Sequence, residues 1–297
     1  MNNNNLMQTK RVNSLKTALI LGGLFLLIMA FGFVLSSLTG DSNYITYAVF
    51  IAIASNFISY FFGGKIALSM SGATLADEDK YLDLHNMISD LALKYHLPKP
   101  KVYVINDPAP NAFATGRNQK NASVAFTTGI LATLNRSELE GVAAHELTHV
   151  KNRDMLVMTV VVMMTGVLSM LANMAMQANL FGGRDKENSN GGILMIIGLV
   201  SSVLLPVAAL IIQSSISRKR EFMADAGAGM LTEHPEALAS ALRKISNFRQ
   251  PLIRANTATA HLYIACPFGG NMSEQSFWQK LFLTHPPVEE RISALLG

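Results

Sequence analysis

The stretch that decides how this chain is organised is His145-Glu146-Leu147-Thr148-His149, which places two imidazoles four residues apart with a carboxylate between them. On a helix, this spacing puts both histidines on one face, where they can bind one metal ion while Glu146 stays free to act as a base. The pentad therefore predicts a zinc hydrolase site, with His145 and His149 as metal ligands and Glu146 as the catalytic base. The alternative is a surface helix that carries two histidines by chance.

The residues around the pentad favour a helix. Ser137 is followed three residues later by Glu140, a spacing that predicts a capping box at the helix start. No proline or glycine interrupts residues 142–154, and apolar residues recur at helical spacing. The pentad is therefore expected on a capped helix.

The composition is that of a membrane protein. Of 297 residues, 50% are hydrophobic and only 15% are charged, whereas soluble domains carry about 25% charged residues. Four segments contain no Asp, Glu, Lys, Arg or His: residues 17–39, 42–64, 155–180 and 191–216. The first would span about 34 Å as a helix, enough to cross a bilayer. It exceeds the apolar core of a signal peptide and precedes no small-residue cleavage pattern, so we expect a retained anchor.

The second pair of apolar segments has a competing explanation. Asn173 and Gln177 lie a turn apart in the third segment, and Pro206 would kink the fourth. A buried helical hairpin inside a soluble domain is therefore the alternative, although the uninterrupted length of both segments favours crossing.

Basic residues predict the orientation. They lie before the first segment, after the second, before the third and after the fourth: Lys10, Arg11, Lys16, Lys65, Lys151, Arg153, Arg218, Lys219 and Arg220. With four crossings, all of them fall on one side, which the positive-inside rule assigns to the cytoplasm. The net charge of +4 thus reflects membrane orientation. The sequence has no basic stretch interleaved with aromatic residues, so no nucleic-acid partner is expected. The single cysteine, Cys266, excludes an internal disulfide framework.

The expected fold class is mainly α with a small β-sheet, comprising four transmembrane helices and a split cytoplasmic zincin-like catalytic domain. Residues 1–72 form a transmembrane hairpin, 73–154 the first catalytic half, 155–216 a second hairpin and 217–297 the second catalytic half. Within the first half, the patterns predict a helix over 77–95 and strands over 101–105, 112–116 and 122–127.

A catalytic zinc site needs a third protein ligand and an open position. Glu221 is the best candidate, because it follows the fourth apolar segment and begins a predicted helix. Asp225 shares its face and could orient a ligating histidine by hydrogen bonding. The alternative for Glu221 is a solvated charge paired with Arg218 or Arg220.

Three motifs together resemble the HtpX family of membrane proteases, a branch of the gluzincins related to the CAAX prenyl proteases. They are Ala-His-Glu-Leu-Thr-His-Val-Lys-Asn-Arg-Asp at 144–154, Ser-Arg-Lys-Arg-Glu-Phe-Met-Ala-Asp at 217–225, and Thr-His-Pro-Pro at 284–287. The resemblance covers nearly the whole chain. It implies that Glu221 is the third zinc ligand, that Asp225 supports the ligands, and that His285 assists catalysis near the metal.

The resemblance also extends to Asn111-Ala112-Phe113-Ala114, which looks like the family's edge-strand motif. Asn111, Ala112 and Phe113 would then lie on a strand to which a substrate peptide adds itself by backbone hydrogen bonds. An ordinary hairpin is the alternative, and the two are compatible.

The function expected from these features is a zinc endopeptidase of the cytoplasmic (inner) membrane, with one Zn²⁺ per chain and its active site facing the cytoplasm. Its partners would be the lipid bilayer and membrane-protein or unfolded polypeptide substrates, within membrane protein quality control and the stress response. Two alternatives remain: a zinc-binding membrane scaffold in which Asp225 or His285 closes the metal site, and a prenyl-protein protease.

Overall fold

The computed structural model describes residues 3–166, 218–256, 258–269 and 286–297. Most of the third expected span, the whole of the fourth and His285 lie outside these ranges. The described helices are α1 (Asn3–Thr39), α2 (Asn43–Met70), α3 (Leu82–Lys94), α4 (Thr128–Thr133), α5 (Arg136–Asn152), α6 (Asp154–Gly166), α7 (Arg218–Thr232), α8 (Pro235–Ser246) and α9 (Val288–Leu296). The strands are β1 (Ala73–Leu75), β2 (Lys101–Ile105), β3 (Ala112–Gly116) and β4 (Ala122–Thr127).

Helices α1 and α2 form the expected apolar hairpin. Both contain a stretch long and apolar enough to cross a membrane, Arg11–Ser37 and Asn43–Met70. A Cβ added at Gly32 would lie 2.3 Å from the Cβ of Ala48, so this glycine lets the two helices approach closely. Helix α1 begins at Asn3, earlier than the apolar segment 17–39, because no proline or glycine interrupts the polar residues 3–16.

Helix α6 packs against this hairpin. Its buried residues share one apolar cluster with α1 and α2: Ile20, Leu24, Leu27, Ile28, Ala48, Ala52, Val157, Val160, Val161 and Met164. Gly63 of α2 faces Thr159 of α6, where an added Cβ would lie 2.8 Å from the threonine methyl group. Helix α6, which contains the described start of the third expected span, therefore packs directly on the first hairpin.

The four strands form one mixed sheet in the order β1-β2-β4-β3. Strand β2 runs parallel to β4, and the other two pairs are antiparallel. The bounds predicted for β2, β3 and β4 are those observed. Strand β1 was not predicted, since three residues are too few to show an alternating pattern.

Two predicted helix starts are wrong. The capping box of α5 consists of Asn135 and Glu138, whose side chains each accept the other's backbone N–H at 2.9 Å. The predicted Ser137 and Glu140 already lie inside the helix. Helix α3 begins at Leu82 instead of residue 77, because the Asp77 carboxylate accepts N–H bonds two and three residues ahead and holds a turn there.

Helix α7 packs closely against α5 through small residues. Ala224 and Ala228 are fully buried, and a Cβ added at Gly227 would lie 2.9 Å from the methyl group of Thr148. The hydroxyl of Tyr95 bonds both Thr148 and the Gly227 carbonyl, which links α3 to this contact. The close approach brings the start of α7 alongside the histidines of α5.

Candidate metal centre

Three side chains from two helices converge at a buried point. His145 and His149 lie one turn apart on α5, and Glu221 lies in the first turn of α7. Their nearest donor atoms all lie within 4.8 Å of one another, and none of the three residues is more than 3% exposed. The structure thus brings together the three residues predicted to be metal ligands.

The separations of these donor atoms fit zinc. Ligands arranged tetrahedrally at about 2.1 Å from a zinc ion lie about 3.4 Å from one another. The two histidine Nε2 atoms are 3.2 Å apart, and the carboxylate oxygens of Glu221 lie 3.8 Å from His145 Nε2 and 3.7 Å from His149 Nε2. A set of two imidazoles and one carboxylate is also the ligand type of a catalytic zinc site.

Asp225 orients the first histidine. One of its carboxylate oxygens lies 2.9 Å from His145 Nδ1, which leaves Nε2 directed at the metal position. The same carboxylate accepts two bonds from Arg291 of α9, from Nε at 2.8 Å and from a terminal guanidinium nitrogen at 2.6 Å. Arg291 is fully buried and also donates to the Ile264 carbonyl at 3.1 Å. Helix α9 therefore fixes the position of the Asp225 carboxylate, and this carboxylate in turn orients the ring of His145.

Asp154 orients the second histidine and was not assigned a role from the sequence. Its carboxylate lies 3.2 Å from His149 Nδ1, and both residues are buried. It is placed there by Arg153, whose left-handed backbone (φ 61°) ends α5 and turns the chain into α6. The signal in the sequence was an aspartate five residues after the second histidine, but only the turn at Arg153 brings it back to the ring.

The first membrane helix reaches this carboxylate. Asn13 of α1 is 3% exposed, and its amide donates to Asp154 at 2.6 Å and to the Asn152 carbonyl at 2.9 Å. Arg220 of α7 lies 3.7 Å from the same Asp154 oxygen. The metal centre therefore lies level with the end of the hairpin where the basic residues of α1 are found.

The pKa values of the two histidines differ because of their carboxylate neighbours. Burial lowers the pKa of His145 to about 4, although Asp225 opposes the shift. Burial acts in the same sense on His149, but Asp154, Glu221 and Glu146 outweigh it and raise its pKa to about 9. The metal-free centre therefore retains a proton on His149, and a cation bound there would displace it.

Glu146 lies beside the three ligands and is not one of the clustered donors. It is 2% exposed. Burial is the main reason that the pKa of its carboxyl group rises to about 7; Glu221 contributes to this rise and the neighbouring His149 opposes it. A carboxyl group with a pKa near neutral suits a general base. Glu146 thus lies outside the donor cluster, and its role as a general base remains a prediction.

The predicted substrate strand lies at the edge of the sheet and next to Glu146. The backbone of Ala114 lies beside the Glu146 carboxyl group and lowers its pKa. At one end of the strand, the Ala112 carbonyl accepts the Ile264 N–H, and the Asn111 amide exchanges bonds with the Ala265 backbone. Phe113 is fully buried against Tyr263. Asn111 thus fastens a segment of this chain, and the role of the strand in substrate binding remains a prediction.

A helix bearing His-Glu-x-x-His, opposed by a glutamate from a second helix, is the ligand arrangement found in zinc metalloproteases. Residues 78–297 match Peptidase family M48. The chain is 43% identical over 294 residues to a Protease HtpX homolog of Caldanaerobacter subterraneus subsp. tengcongensis, covering 97% of this chain and 96% of that relative. It is 41% identical over 302 residues to another from Thermoanaerobacter pseudethanolicus, covering 99% and 98%. The chain belongs to peptidase family M48, among the HtpX proteases, and is a membrane-associated metalloprotease.

A solved structure shows a related fold. The crystal structure of Ste24p from S. mikatae superposes with a TM-score of 0.50 at 19% identity, and the match covers 98% of this chain and 66% of that chain. At this identity the likeness concerns the fold alone.

Proposed function

We propose that this protein is a zinc-dependent endopeptidase of the cytoplasmic membrane that cleaves unfolded or misfolded membrane polypeptides in membrane protein quality control. The observation that carries the proposal is the buried cluster of His145, His149 and Glu221 with Glu146 free beside it. The three clustered residues would hold one Zn²⁺. Bound zinc polarises the scissile carbonyl and lets water lose a proton near neutral pH.

The residues of this chain would move the protons and position the substrate. Glu146 accepts a proton from the attacking water and delivers it to the departing amine. An extended peptide would lie along the edge of β3 at Ala114, whose backbone neighbours the Glu146 carboxyl group. His285 is the proposed donor to the oxyanion that forms from the carbonyl oxygen when water attacks the carbonyl carbon.

The proposed topology has four crossings, with the catalytic part in two halves, 73–154 and 217–297, and the site facing the cytoplasm. The two candidate spans in α1 and α2 and the packing of α6 against them support this arrangement. The basic residues at the catalytic end of the hairpin support the cytoplasmic side. A site at that level reaches loops and ends of membrane proteins that emerge from the bilayer.

The main alternative to a catalytic zinc site is a structural zinc site. Such a site is closed by a fourth protein ligand. Among the described residues, the clustered donors are three, and the Asp225 carboxylate is already bonded to His145 and Arg291. A free carboxyl group at Glu146 also favours catalysis. A prenyl-protein protease would use the same site, so only substrates distinguish it.

The deciding experiment measures zinc content and casein cleavage by the detergent-purified protein after chelator treatment and zinc addition. Wild type is compared with Glu146→Gln and with the control Glu140→Gln, on the same helix but partly exposed at its surface. Zinc should bind stoichiometrically in all three, and cleavage should fall by about 10²- to 10⁴-fold in Glu146→Gln alone.

The other outcomes separate the alternatives. Full activity of Glu146→Gln would refute the proposed mechanism. Zinc binding with no casein cleavage by wild type would favour the scaffold or a narrow specificity. Cleavage of a prenylated peptide but not of its unprenylated form would then identify the prenyl-protein protease.

A further inference from the structure

A cleft of about 400 Å³ lies where the end of α2 meets the sheet, away from the metal centre. Helix α2 forms one wall, and β2 together with the turn between β3 and β4 forms the other. Five basic side chains from three separate stretches of sequence line it: Lys65, Lys99, Lys101, Arg117 and Lys120. These cations are too dispersed along the chain to be recognised as one patch from the sequence.

Two glycines allow the two walls of the cleft to pack closely against each other. A Cβ added at Gly64 of α2 would lie 3.2 Å from the Cα of Gly116, at the end of β3. Gly116 has φ +136°, and a Cβ there would lie 2.3 Å from the Asn121 carbonyl oxygen. Its N–H donates to the Thr159 hydroxyl at 3.3 Å. The turn that carries Arg117 and Lys120 is therefore fixed against the membrane helix.

Among the residues that the structure describes, the charge of the cleft has no partner. None of the described lining residues is a carboxylate, and none of the five cations forms an ion pair with a described residue. The guanidinium carbon of Arg117 lies 4.9 Å from the ring centre of Phe61, and Lys65 Nζ lies 6.0 Å from that of Phe62. Stacking on a ring face leaves N–H groups of both residues available to an anion. The chemistry fits a phosphate group.

The same wall of the cleft continues into an exposed apolar surface. Phe57, Phe61 and Phe62 are 54%, 45% and 44% exposed on α2, within the candidate span. Tyr60 also lines the cleft, and tyrosines at the end of a span are enriched at the level of the lipid headgroups. A ligand at this level would place its anionic group among the cations and its acyl chains along the phenylalanines. We propose that the cleft binds the headgroup of an anionic phospholipid.

The binding test uses full-length protein in a neutral detergent and does not depend on protease activity. Titration calorimetry would compare dihexanoyl phosphatidylglycerol, dihexanoyl phosphatidylcholine and inorganic phosphate. The variant Lys101→Gln/Arg117→Gln removes two cations from the cleft. The matched control, Lys80→Gln/Arg243→Gln, removes one lysine and one arginine from exposed positions elsewhere. Thermal unfolding of each variant verifies that it is folded.

We expect the phosphatidylglycerol to bind at least tenfold more tightly than the phosphatidylcholine, which has the same chains. The cleft variant should lose roughly tenfold to thirtyfold in affinity, since each cation near an anionic lipid surface contributes strongly to binding. The control should stay within about twofold. Equal affinity for both lipids, or equal losses in both variants, would overturn the proposal. Inorganic phosphate binding as tightly as the lipid would show a soluble-anion site instead.

Discussion

Asn13 of the first membrane helix donates a 2.6 Å hydrogen bond to Asp154, the carboxylate that lies 3.2 Å from the ring of His149. The two residues are 141 positions apart in the chain. Through this contact, a helix predicted only to anchor the protein also holds a group that supports a metal ligand. The position of α1 and the geometry of the metal centre are therefore coupled.

Asp154→Asn should weaken zinc binding by roughly tenfold to a hundredfold, as expected when a carboxylate behind a ligating histidine is lost. The amide keeps the size of the side chain but carries no charge, so it accepts a weaker hydrogen bond from His149 Nδ1–H. Competition with a chelator of known affinity measures the change. Asp90→Asn, at an exposed position on α3, is the control. Unchanged affinity in Asp154→Asn would remove this residue from the metal centre.

Asn13→Ala should weaken zinc binding less than Asp154→Asn, because it removes a support of the carboxylate and not the carboxylate itself. It leaves a buried oxygen short of a partner, a cost of about 1–3 kcal/mol in the free energy of unfolding. The zinc affinity of the double variant Asn13→Ala/Asp154→Asn should equal that of Asp154→Asn alone, because the effects of substitutions within one hydrogen-bond network are not additive. Additive losses would show that Asn13 acts independently of Asp154.

Arg291→Met should destabilise the protein by about 3–5 kcal/mol, because it leaves the buried Asp225 carboxylate without its cation. Thermal unfolding in detergent measures the loss. Arg243→Met, an exposed arginine on α8, should change stability by less than about 0.5 kcal/mol. A change in Arg291→Met as small as in this control would contradict the role assigned to the ion pair.

Glu221→Gln should lose zinc under conditions in which wild type and Glu146→Gln remain saturated. The substitution replaces a charged ligand by a neutral amide, whereas Glu146 is not among the clustered donors. Metal content after dialysis against a weak chelator distinguishes the two. Equal zinc retention in Glu221→Gln and Glu146→Gln would mean that another group supplies the third ligand.

Because of Glu138, the stability of the folded protein should depend on pH in the acidic range. Burial alone would raise the pKa of its carboxyl group, but hydrogen bonds from Lys244, Ser240 and the Asn135 backbone outweigh burial and hold the pKa below its ordinary value of 4.5. Because the pKa is lower in the folded than in the unfolded protein, the ionised carboxylate stabilises the fold fully above pH 4.5. This stabilisation is lost as the pH falls through the pKa of the folded state. The difference in melting temperature between wild type and Glu138→Gln should therefore be large at pH 7 and shrink below pH 4.5.

The control for this pH dependence is Glu140→Gln on the same helix. Glu140 meets Lys94 at 3.8 Å in a pair that is partly exposed, and such pairs contribute little to stability. Its melting temperature should follow that of wild type across the same pH range. A constant difference between wild type and Glu138→Gln would contradict the proposed linkage.

Local spacing predicted much of the fold. The bounds of β2, β3 and β4, the apolar hairpin and the helix of the metal motif all follow from patterns within a few residues. Errors arose at helix starts, where the side chains of Asp77 and Asn135 compete for backbone N–H groups. The close contacts at Gly227 and Gly64 could not be predicted, because the position of a glycine in the sequence does not indicate which residue it contacts.

By itself, the sequence determined the helix of the candidate metal centre, since two histidines four residues apart on a helix must share a face. It also determined the apolar hairpin of α1 and α2, because uncharged helices of that length need lipid or protein to cover their apolar side chains. Only the tertiary structure decided which groups support the histidines and which cations line the cleft at the membrane. Asn13, Asp154 and Arg291 meet at the metal centre through packing of distant helices, and such contacts have no fixed spacing along the chain.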